Sequence, residues 1–361
     1  MARLAFVLPS MAGGGAERVA LALMHDFVKR GHEVDLVLAS ASGELLPLLP
    51  PQVQLFDLGA RRLRSALWPL VGYLRQRRPH AVQVSMWPLT VIAIVAAKLA
   101  RAPSRVVVSD HVALSQHYRN DRRALAMLRA TTRLIYPLAA ARICVSGGVA
   151  DDLASLSGLR RDQFDVVYNP IDPPAAIAPT AEVERQWGEG RRILTVGSLK
   201  EQKNHLLLLD AFARLPDKKS RLMIVGEGSL RPLIESRAAQ LNVADRTIMP
   251  GFTTDPWPYY ASADLFVLSS DYEGFPVVLV EAMYAGLPIV STDCPSGPAE
   301  MLDGGRYGDL VPCGDAPALA AAIEKALAKP ADPARIRDRA VAMTGPQTIA
   351  RYLELLLGGR G

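Results

Sequence analysis

The stretch DYEGFPVVLVEAMYAG, residues 271–286, places two glutamates around a fully apolar run. Pro276 has the fixed φ that suits the first position of a helix, and Gly286 suits the left-handed position that follows one. The pattern therefore predicts a short buried helix between these two residues. Glu273 then lies in the loop ahead of the helix and Glu281 lies within it, so the two acids are well separated in space.

The start of this predicted helix is a candidate anion-binding site. Glycine and proline at a helix start leave backbone N–H groups unpaired at the positive end of the helix dipole, which favours a phosphate. Glu281 would then accept hydrogen bonds from hydroxyl groups such as those of a ribose, and Glu273 would meet the group on the far side of the phosphate. The alternative is a buried helix with two incidental charges, although acids inside an apolar run need partners.

Strand-like and helix-like patterns alternate on both sides of this stretch. The strands predicted in the first half are LAFVLPS, EVDLVLAS, AVQVSM, SRVVVSD, ARICVS and DVVYNP. Those predicted in the second half are RILTVGS, RLMIVGEG, RTIMPGF, DLFVLSS, PIVSTD and GDLVPCG. This alternation predicts an α/β fold in which parallel sheets are covered by helices on both faces.

The alternation restarts after residue 190, which predicts two domains. We expect a Rossmann-like domain over residues 1–172, a linker rich in Pro and Ala over residues 173–190, and a second Rossmann-like domain over residues 191–343. A C-terminal helix over residues 344–361 can pack back on the N-terminal domain. The two doubly wound domains are expected to face each other across a cleft lined by the C-terminal ends of their strands.

The chain has 361 residues, of which 50% are hydrophobic and 21% charged, a composition typical of a globular protein. Cys144, Cys294 and Cys313 are odd in number and widely spaced, so we interpret them as small core residues of a protein in a reducing cytoplasm. The apolar run at the N-terminus is too short for a signal peptide, and Trp87–Ala97 is about half the length of a spanning helix. We therefore expect no membrane-crossing segment.

Positive charge is concentrated in the first half of the chain. Residues 1–172 carry 21 Lys and Arg against 13 Asp and Glu, whereas residues 173–361 carry 20 against 23. Much of the excess lies in residues 61–80 and 119–138, where arginine is interleaved with Leu, Trp and Tyr. This pattern favours peripheral contact with an anionic membrane surface, or it marks a solvated helix face whose Arg stems cover the core. Nucleic acid is not an expected partner, because no helix-turn-helix, zinc-finger or RNP-type pattern accompanies these arginines.

The quoted stretch and the residues after it, DYEGFPVVLVEAMYAGLPIVSTDCPSGPAEML, resemble the signature of the family 4 retaining glycosyltransferases of the GT-B fold. The spacing of the two glutamates is part of this resemblance. Other segments resemble family segments in the same order along the chain: MAGGGAERVALAL, RGHEVDLV, VSGGVADDLA, VVYNPID, VGSLKEQKNHLLLLDAF, MIVGEGSLRPLI and MPGFTTD. Because the ordered series covers nearly the full chain, it is far more specific than two glutamates at this spacing.

The resemblance implies roles for several residues of the second half. Glu281 would bind the ribose of a nucleoside diphosphate sugar, while Glu273 and Lys203 are candidate catalytic residues that would contact the sugar and neutralise the diphosphate. The matching motifs imply further donor-binding positions at Gly274, Phe275, Pro276, Val277, Gly297 and Glu300. Glu300 can equally be an acid that faces the dipole at a helix N-terminus.

In the first half, the resemblance implies that Gly14 and Gly15 let the first loop approach the phosphate and the acceptor without side chains in the way. His111, at the end of a predicted strand, matches the family's histidine near the donor sugar and is the third candidate catalytic residue. Without the resemblance, His111 would be interpreted as a core histidine. Asp110 can orient the imidazole ring or cap the following helix.

One departure from the family pattern lies before Lys203. Where the family usually has Gly-Arg-Leu, this chain has Gly-Ser-Leu, so Ser198 replaces an arginine that would pair with the diphosphate. A serine supplies a hydrogen bond but no charge. Lys200, two residues further on, could compensate, and both residues are candidates for donor binding.

The resemblance implies a retaining enzyme, and the GFP and CPSGPAE segments are most similar to members that transfer a hexose or N-acetylhexosamine from a UDP-sugar. The basic first half of the chain favours a lipid-linked sugar or oligosaccharide at the cytoplasmic face of the inner membrane as the acceptor. No metal and no cofactor is expected. AGGGAERV has Arg18 where the third glycine of a dinucleotide-binding loop would fall, and DYE resembles a metal-binding D-x-D only through Glu273. Two alternatives stay open: a non-catalytic nucleotide-sugar-binding subunit, and a UDP-sugar epimerase or a phosphorylase with the same fold.

Overall fold

The computed structural model describes residues 1–329 and 332–359. Contacts within the chain divide it into two compact units, the first formed by Met1–Ile171 with the segment from Thr344 onward, and the second by Asp172–Met343. Each unit is built on a parallel β-sheet whose strands are connected by helices. The predicted α/β class with two doubly wound sheets is therefore confirmed.

The first unit begins with a strand, and strands and helices then alternate along it. Its strands are Arg3–Leu8 (β1), Glu33–Leu38 (β2), Gln54–Asp57 (β3), Ala81–Ser85 (β4), Arg105–Asp110 (β5), Ala141–Cys144 (β6) and Asp165–Val166 (β7). Its α-helices up to that point are Gly15–Lys29 (α1), Leu67–Arg77 (α2), Leu89–Ala100 (α3), Leu114–His117 (α4), Arg122–Ile135 (α5) and Gly147–Ser157 (α6). In the described chain the sheet has the order β3-β2-β1-β4-β5-β6-β7.

The second unit repeats the alternation. Its strands are Arg192–Val196 (β8), Arg221–Val225 (β9), Thr247–Gly251 (β10), Leu265–Leu268 (β11), Ile289–Thr292 (β12) and Asp309–Val311 (β13). Its helices are Ala181–Trp187 (α7), His205–Arg214 (α8), Arg231–Gln240 (α9), Trp257–Ser262 (α10), Val277–Tyr284 (α11), Pro298–Met301 (α12), Ala316–Ala328 (α13) and Pro333–Thr344 (α14). Over the described residues the sheet order is β10-β9-β8-β11-β12-β13.

In each sheet the strand order reverses next to the first strand of the unit, between β1 and β4 and between β8 and β11. At such a point the connections leave toward opposite faces, and the crevice at the C-terminal ends of the two strands is where open α/β sheets bind ligands. The loops that follow β1, β4, β8 and β11 are therefore the places where a site is expected.

The degree of burial of each strand explains whether it could be predicted from the sequence. The side chains of Leu4 to Leu8 in β1 and of Leu265 to Leu268 in β11 are at most 1% exposed, and strands buried on both faces of a parallel sheet form continuous apolar runs. All twelve predicted strands are present. The sequence missed β3, because only two of its four residues are apolar and most of its side chains are exposed at the edge of the sheet.

The stretch predicted as a linker, residues 173–190, is in part a folded element. Ala181–Trp187 forms α7, which begins after a Thr180 cap and belongs to the second unit. Trp187 is 1% exposed and its Nε1 donates a hydrogen bond to Ser262 Oγ at 2.8 Å. Seven residues are too short to show helical periodicity in so Pro-rich a stretch, and the helix is fixed by burying this one indole.

The last helix, Pro346–Leu357 (α15), returns the chain to the first unit. It packs against β4 and β5. Tyr352, Leu355 and Leu356 lie in the same buried cluster as Phe6 of β1 and Phe27 of α1. The core of the first unit is thus completed by the far end of the sequence.

Candidate functional site

The loops after β8 and β11, at the reversal point of the second sheet, are joined by hydrogen bonds. The Asp271 N–H donates to Gln202 O at 2.9 Å, and Ser269 Oγ donates to Lys203 O at 2.9 Å. Asn204 Nδ2 donates to Asp271 Oδ1 at 2.8 Å. These bonds fix the two loops relative to each other, so the side chains they carry have defined positions.

Lys203 and Glu273 form an ion pair between these loops. Lys203 Nζ lies 2.7 Å from Glu273 Oε1, and the two side chains are 13% and 7% exposed. Glu273 also accepts from Ser270 Oγ at 2.6 Å and from Gln202 Nε2 at 3.4 Å. A buried carboxylate needs such additional donors, because one ion pair does not offset the loss of its hydration.

The helix α11 starts beside this ion pair. It begins at Val277, with Pro276 (φ −69°, ψ 91°) as its N-cap, so the prediction that Pro276 is the first helical residue is wrong by one position. The extended ψ of Pro276 keeps it outside the helix. Gly286 has a φ of +76°, which confirms the predicted left-handed position after the helix. The first N–H groups of α11 have no partner within the helix, so this end can accept an anion.

Glu281 lies one turn into α11, four residues after Val277. Side chains four residues apart share a helix face, and helical side chains tilt toward the N-terminus. The Glu281 side chain therefore lies on the same face of α11 as Val277 and points toward the start of the helix. It accepts a hydrogen bond from the hydroxyl of Tyr260, on α10, at 2.8 Å. Tyr260 is fully buried, so it holds the carboxylate in one place.

The turn before α12 packs against the start of α11. Gly297 has a φ of +91°, and a Cβ there would lie 2.7 Å from Pro276 Cδ and 3.1 Å from Gly274 O. Glycine is required for both reasons. Glu300 lies within the four-residue α12, where its backbone carbonyl accepts from Arg339 Nη2 at 2.8 Å.

Ser198 and Lys200 lie in the loop after β8, before the short 3₁₀ helix Glu201–Lys203. Ser198 is half-buried and Lys200 is exposed. The backbone N–H of Lys200 donates to Ser198 O at 3.0 Å, which makes a tight turn of these residues. Both residues therefore belong to the same loop as Lys203.

His111 follows β5 in the first unit. Its Nε2 lies 3.1 Å from Ser109 Oγ and 3.5 Å from Ser85 Oγ. Its Nδ1 is buried and has no hydrogen-bond partner among residues 1–329 and 332–359. Burial lowers the pKa of His111 to about 4, so the ring is neutral near pH 7.

Asp110 neither orients the His111 ring nor caps the next helix, so both expectations for it are wrong. Its carboxylate lies in the core and accepts from the Tyr136 hydroxyl at 3.2 and 3.1 Å. The N-cap of α4 is Ala113. Burial raises the pKa of Asp110 to about 7, because the charged form has lost its hydration.

Gly14 and Gly15 follow β1 at the reversal point of the first sheet. Gly14 is the N-cap of α1 and Gly15 its first residue, and both are exposed. A Cβ on Gly14 would lie 2.6 Å from Glu17 Oε2, so a side chain there would have to displace a buried carboxylate. The loop thus keeps its backbone accessible at this edge of the sheet.

In the second unit the structure brings Lys203, Glu273 and Gly297 to the start of α11. Gly274, Phe275 and Pro276 directly precede this helix, and Val277 and Glu281 lie in it. Ser198 and Lys200 share the loop of Lys203, and Glu300 follows Gly297 in α12. Gly14, Gly15 and His111 belong to the first unit and lie at the C-terminal edge of its sheet.

Sequence reasoning missed the residues that hold the two glutamates. Ser270 and Gln202 carried a weak signal, because Ser270 ends a predicted strand and Gln202 precedes Lys203. Tyr260 carried none, since it lies on a different helix, 21 residues before Glu281. Its role can be recognised only from the folded chain.

The start of α5 and the start of α2 carry exposed basic and apolar side chains. Arg122 and Arg123 are exposed, Met127 is 53% exposed and Trp68 is 68% exposed. Helices between parallel strands run back against the strand direction, so both helix starts lie at the sheet edge that carries His111. No helix in the described part of the chain is long and apolar enough to cross a membrane.

Two family models match the chain. Residues 13–174 match the model described as Glycosyltransferase Family 4, and residues 181–343 match the model described as Glycosyl transferases group 1. The boundary between the matches falls near the boundary between the two structural units.

The chain is similar to several glycosyltransferases and solved structures. An enzyme of Campylobacter jejuni named N-acetylgalactosamine-N,N'-diacetylbacillosaminyl-diphospho-undecaprenol 4-alpha-N-acetylgalactosaminyltransferase is 27% identical over 322 residues, 86% of each chain. The amylovoran biosynthesis glycosyltransferase AmsD of Erwinia amylovora is 27% identical over 296 residues, 81% of each chain. Anabaena HepE in complex with UDP superposes with a TM-score of 0.81 at 21% identity, over 99% of this chain and 100% of HepE. Another HepE structure contains UDP-glucose.

Proposed function

The chain belongs to glycosyltransferase family 4 and has the GT-B fold, and on that basis we propose that it moves a hexose or an N-acetylhexosamine from a UDP-sugar to a lipid-linked sugar or oligosaccharide. The observation that carries the proposal is the buried Lys203–Glu273 ion pair beside the start of α11, at the reversal point of the second sheet. The lysine cation and the N–H groups at the helix start suit the diphosphate of a nucleoside diphosphate sugar, and the carboxylate of Glu281, one turn into the helix, suits its ribose hydroxyls.

In the proposed complex the diphosphate lies at the start of α11. The helix N–H groups donate to one phosphate, and Lys203 supplies the positive charge that a metal supplies in other transferases. Glu281, held by Tyr260, accepts hydrogen bonds from the ribose hydroxyls. The UDP complex of HepE supports this choice of nucleotide.

Glu273 changes partner when the donor binds. In the structure it is paired with Lys203, and a diphosphate carries more negative charge than one carboxylate and so competes for the ammonium group. Once Lys203 turns to the phosphate, Glu273 can accept hydrogen bonds from hydroxyls of the sugar. Ser270 keeps the Glu273 carboxylate in place during this exchange, because it donates from the same loop.

The proposed reaction retains the configuration at the anomeric carbon. The nucleoside diphosphate leaves from the face that the acceptor hydroxyl approaches, and the leaving phosphate oxygen takes the proton of that hydroxyl, so no nucleophile from the protein is required. Lys203 and the helix dipole stabilise the charge on the leaving phosphate. His111 is neutral at working pH, so it contributes a hydrogen bond to the sugar rather than a charge.

The proposed acceptor is lipid-linked, as in the assembly of a surface polysaccharide or a glycoprotein glycan. The names of the Campylobacter and Erwinia relatives refer to a diphospho-undecaprenol acceptor and to amylovoran biosynthesis. The exposed residues Trp68, Arg122, Arg123 and Met127, at helix starts on the same edge of the sheet, would contact an anionic membrane at the cytoplasmic surface. The arginines attract the headgroups and the apolar side chains enter the interface.

A transfer assay tests the function. The protein is incubated with a panel of UDP-sugars and polyprenyl-diphosphate glycans, with and without EDTA, and the lipid products are analysed by mass spectrometry. We expect extension of the acceptor with release of UDP, unchanged by EDTA. Isomerised UDP-sugar without extension would indicate an epimerase, binding without either product a non-catalytic subunit, and loss of activity in EDTA a metal-dependent reaction.

Variants of Lys203 and Glu281 test the roles of these residues in the same assay. Lys203→Ala should lower turnover and Glu281→Ala should weaken donor binding severely. Lys325→Ala is the matched control, because Lys325 also forms an ion pair in the second unit, with Asp309 at 2.6 Å, but is 63% exposed. Wild-type turnover in both site variants would refute the assigned roles.

Flotation with liposomes tests the membrane contact. Wild-type protein should float with anionic vesicles at low salt and less at high salt. Replacing Arg122 and Arg123 by Gln should reduce flotation, whereas Arg160→Gln should not, because Arg160 is exposed on the connection from α6 to β7, away from the helix starts. Equal flotation of all variants would contradict the assignment of the membrane contact to these residues.

A further inference from the structure

Polar side chains line one face of β4 and β5 beneath α15. Ser85 and Ser109 are directly paired in the register of these strands, and side chains two apart on a strand share a face. Gln83 therefore lies on the same face as Ser85. All three residues are buried, although this face otherwise belongs to the apolar core of the first unit.

Tyr352 brings a further hydroxyl to this face from α15. The residue is completely buried in the cluster that also contains Ala81 of β4 and Val107 of β5. Burial raises the pKa of Tyr352, and the nearby Ser109 side chain partly offsets this rise. Val107 and Ser109 are two apart on β5 and so share the face on which Tyr352 packs. The Tyr352 hydroxyl has no hydrogen-bond partner in the described ranges 1–329 and 332–359, so a bond between Tyr352 and Ser109 requires one of the two hydroxyls to turn toward the other.

The His111 ring depends on these hydroxyls for its orientation. A carboxylate is a common partner for a functional imidazole, but the neighbouring Asp110 is turned into the core and bonded to Tyr136. The partners of His111 Nε2 are Ser109 Oγ at 3.1 Å and Ser85 Oγ at 3.5 Å. A serine hydroxyl can either donate or accept, so the two serines alone leave the tautomer of His111 undefined.

We propose that Tyr352 is a positioning residue for His111: its hydroxyl donates to Ser109 Oγ, and Ser109 then donates to His111 Nε2. A phenol is a stronger proton donor than an aliphatic hydroxyl, which sets the direction of this chain of hydrogen bonds. Nε2 is then the acceptor of the ring, and Nδ1 carries the proton. The last helix of the sequence thus fixes the tautomer of a histidine located more than two hundred residues earlier.

NMR of the histidine ring nitrogens tests the proposal without any substrate. Long-range ¹H–¹⁵N spectra of the full chain distinguish the two tautomers, and His111→Gln identifies the His111 signals among the six histidines. Wild-type His111 should be the Nδ1–H tautomer at pH 7. Tyr352→Phe and Ser109→Ala should each shift it toward a mixture. An Nε2–H tautomer in the wild type, or a tautomer unchanged in both variants, would overturn the proposal.

Tyr73→Phe is the matched control. It also removes a buried tyrosine hydroxyl from the first unit, one that donates to Asp35 at 2.7 Å on β2. It should lower stability and leave the His111 signals unchanged. A shift of the His111 tautomer in Tyr73→Phe as large as that in Tyr352→Phe would show a general loosening of the unit and count against the proposal.

Kinetics supply a second readout that rests on the proposed function. Tyr352→Phe should lower kcat about tenfold, the usual effect of one lost positioning hydrogen bond, with the donor KM unchanged. Equal loss in Tyr73→Phe would indicate a structural effect. If the wild-type protein transfers no sugar but the tautomer responds as expected, the proposed function fails and the inference about Tyr352 stands.

Discussion

Replacing Lys203 by Met removes the cation of the buried ion pair and keeps most of the side chain. Glu273, 7% exposed, is then left with Ser270 and Gln202 as donors. Removing one partner of a buried ion pair lowers the free energy of unfolding by about 3–5 kcal/mol. Because two hydrogen-bond donors to Glu273 remain, we expect a loss at the lower end of this range, about 3 kcal/mol. For a unit of this size the unfolding midpoint should fall by roughly 6–12 °C. Differential scanning calorimetry measures this shift.

The double variant separates the ion pair from simple loss of packing. Glu273→Gln alone should cost about 1–2 kcal/mol, since Lys203 can turn toward solvent. The double variant should then lose about 2–3 kcal/mol rather than the additive sum of about 4–5 kcal/mol, which corresponds to an interaction energy of about 2 kcal/mol. Lys325→Met, at an exposed pair, should cost less than about 1 kcal/mol. Strictly additive losses would refute the reasoning, as would an effect no larger than that of Lys325→Met.

Three further outcomes follow from the same unit. Burial lowers the pKa of His205 from 6.5 to about 4, so the second unit should lose about 3 kcal/mol of stability as the pH falls from 6.5 to 4. Urea titrations at a series of pH values measure this loss, and in His205→Gln the free energy of unfolding should depend less on pH over this range. Tyr260→Phe removes the donor to Glu281 and should weaken UDP binding about fivefold to tenfold by calorimetric titration; unchanged affinity would contradict this. Gly297→Ala adds a Cβ 2.7 Å from the proline ring before α11 at a φ of +91° and should cost about 2–3 kcal/mol, whereas Gly304→Ala, with nothing within 4 Å, should cost only the backbone strain.

Much of the fold could be predicted from the sequence because burial and pattern agree. Strands of a parallel sheet are covered on both faces and so are apolar throughout, as in β1 and β11. The apolar pattern does not predict an element that is only partly buried or that buries a single side chain. The edge strand β3 has exposed side chains, and α7 depends on one buried indole, that of Trp187, rather than on a periodic pattern.

The candidate site could be predicted in its charged residues but not in their partners. Glu273 and Glu281 are conspicuous because acids are rare in apolar runs, and the pairing of Glu273 with Lys203 follows from the order of β8 and β11 in the sheet. Tyr260 gave no signal because its contact with Glu281 depends on how α10 packs on α11. The prediction for Asp110 was wrong because its position at the end of β5 resembles that of a cap, whereas its carboxylate turns into the core.

The central claim is that a nucleoside diphosphate binds at the start of α11, and a crystal structure of the protein with UDP tests it most directly. The account predicts a phosphate hydrogen-bonded to the first N–H groups of α11 and to Lys203 Nζ, the ribose hydroxyls on Glu281, and the distance from Lys203 to Glu273 increased beyond 2.7 Å. UDP bound elsewhere, with the Lys203–Glu273 pair intact, would contradict it.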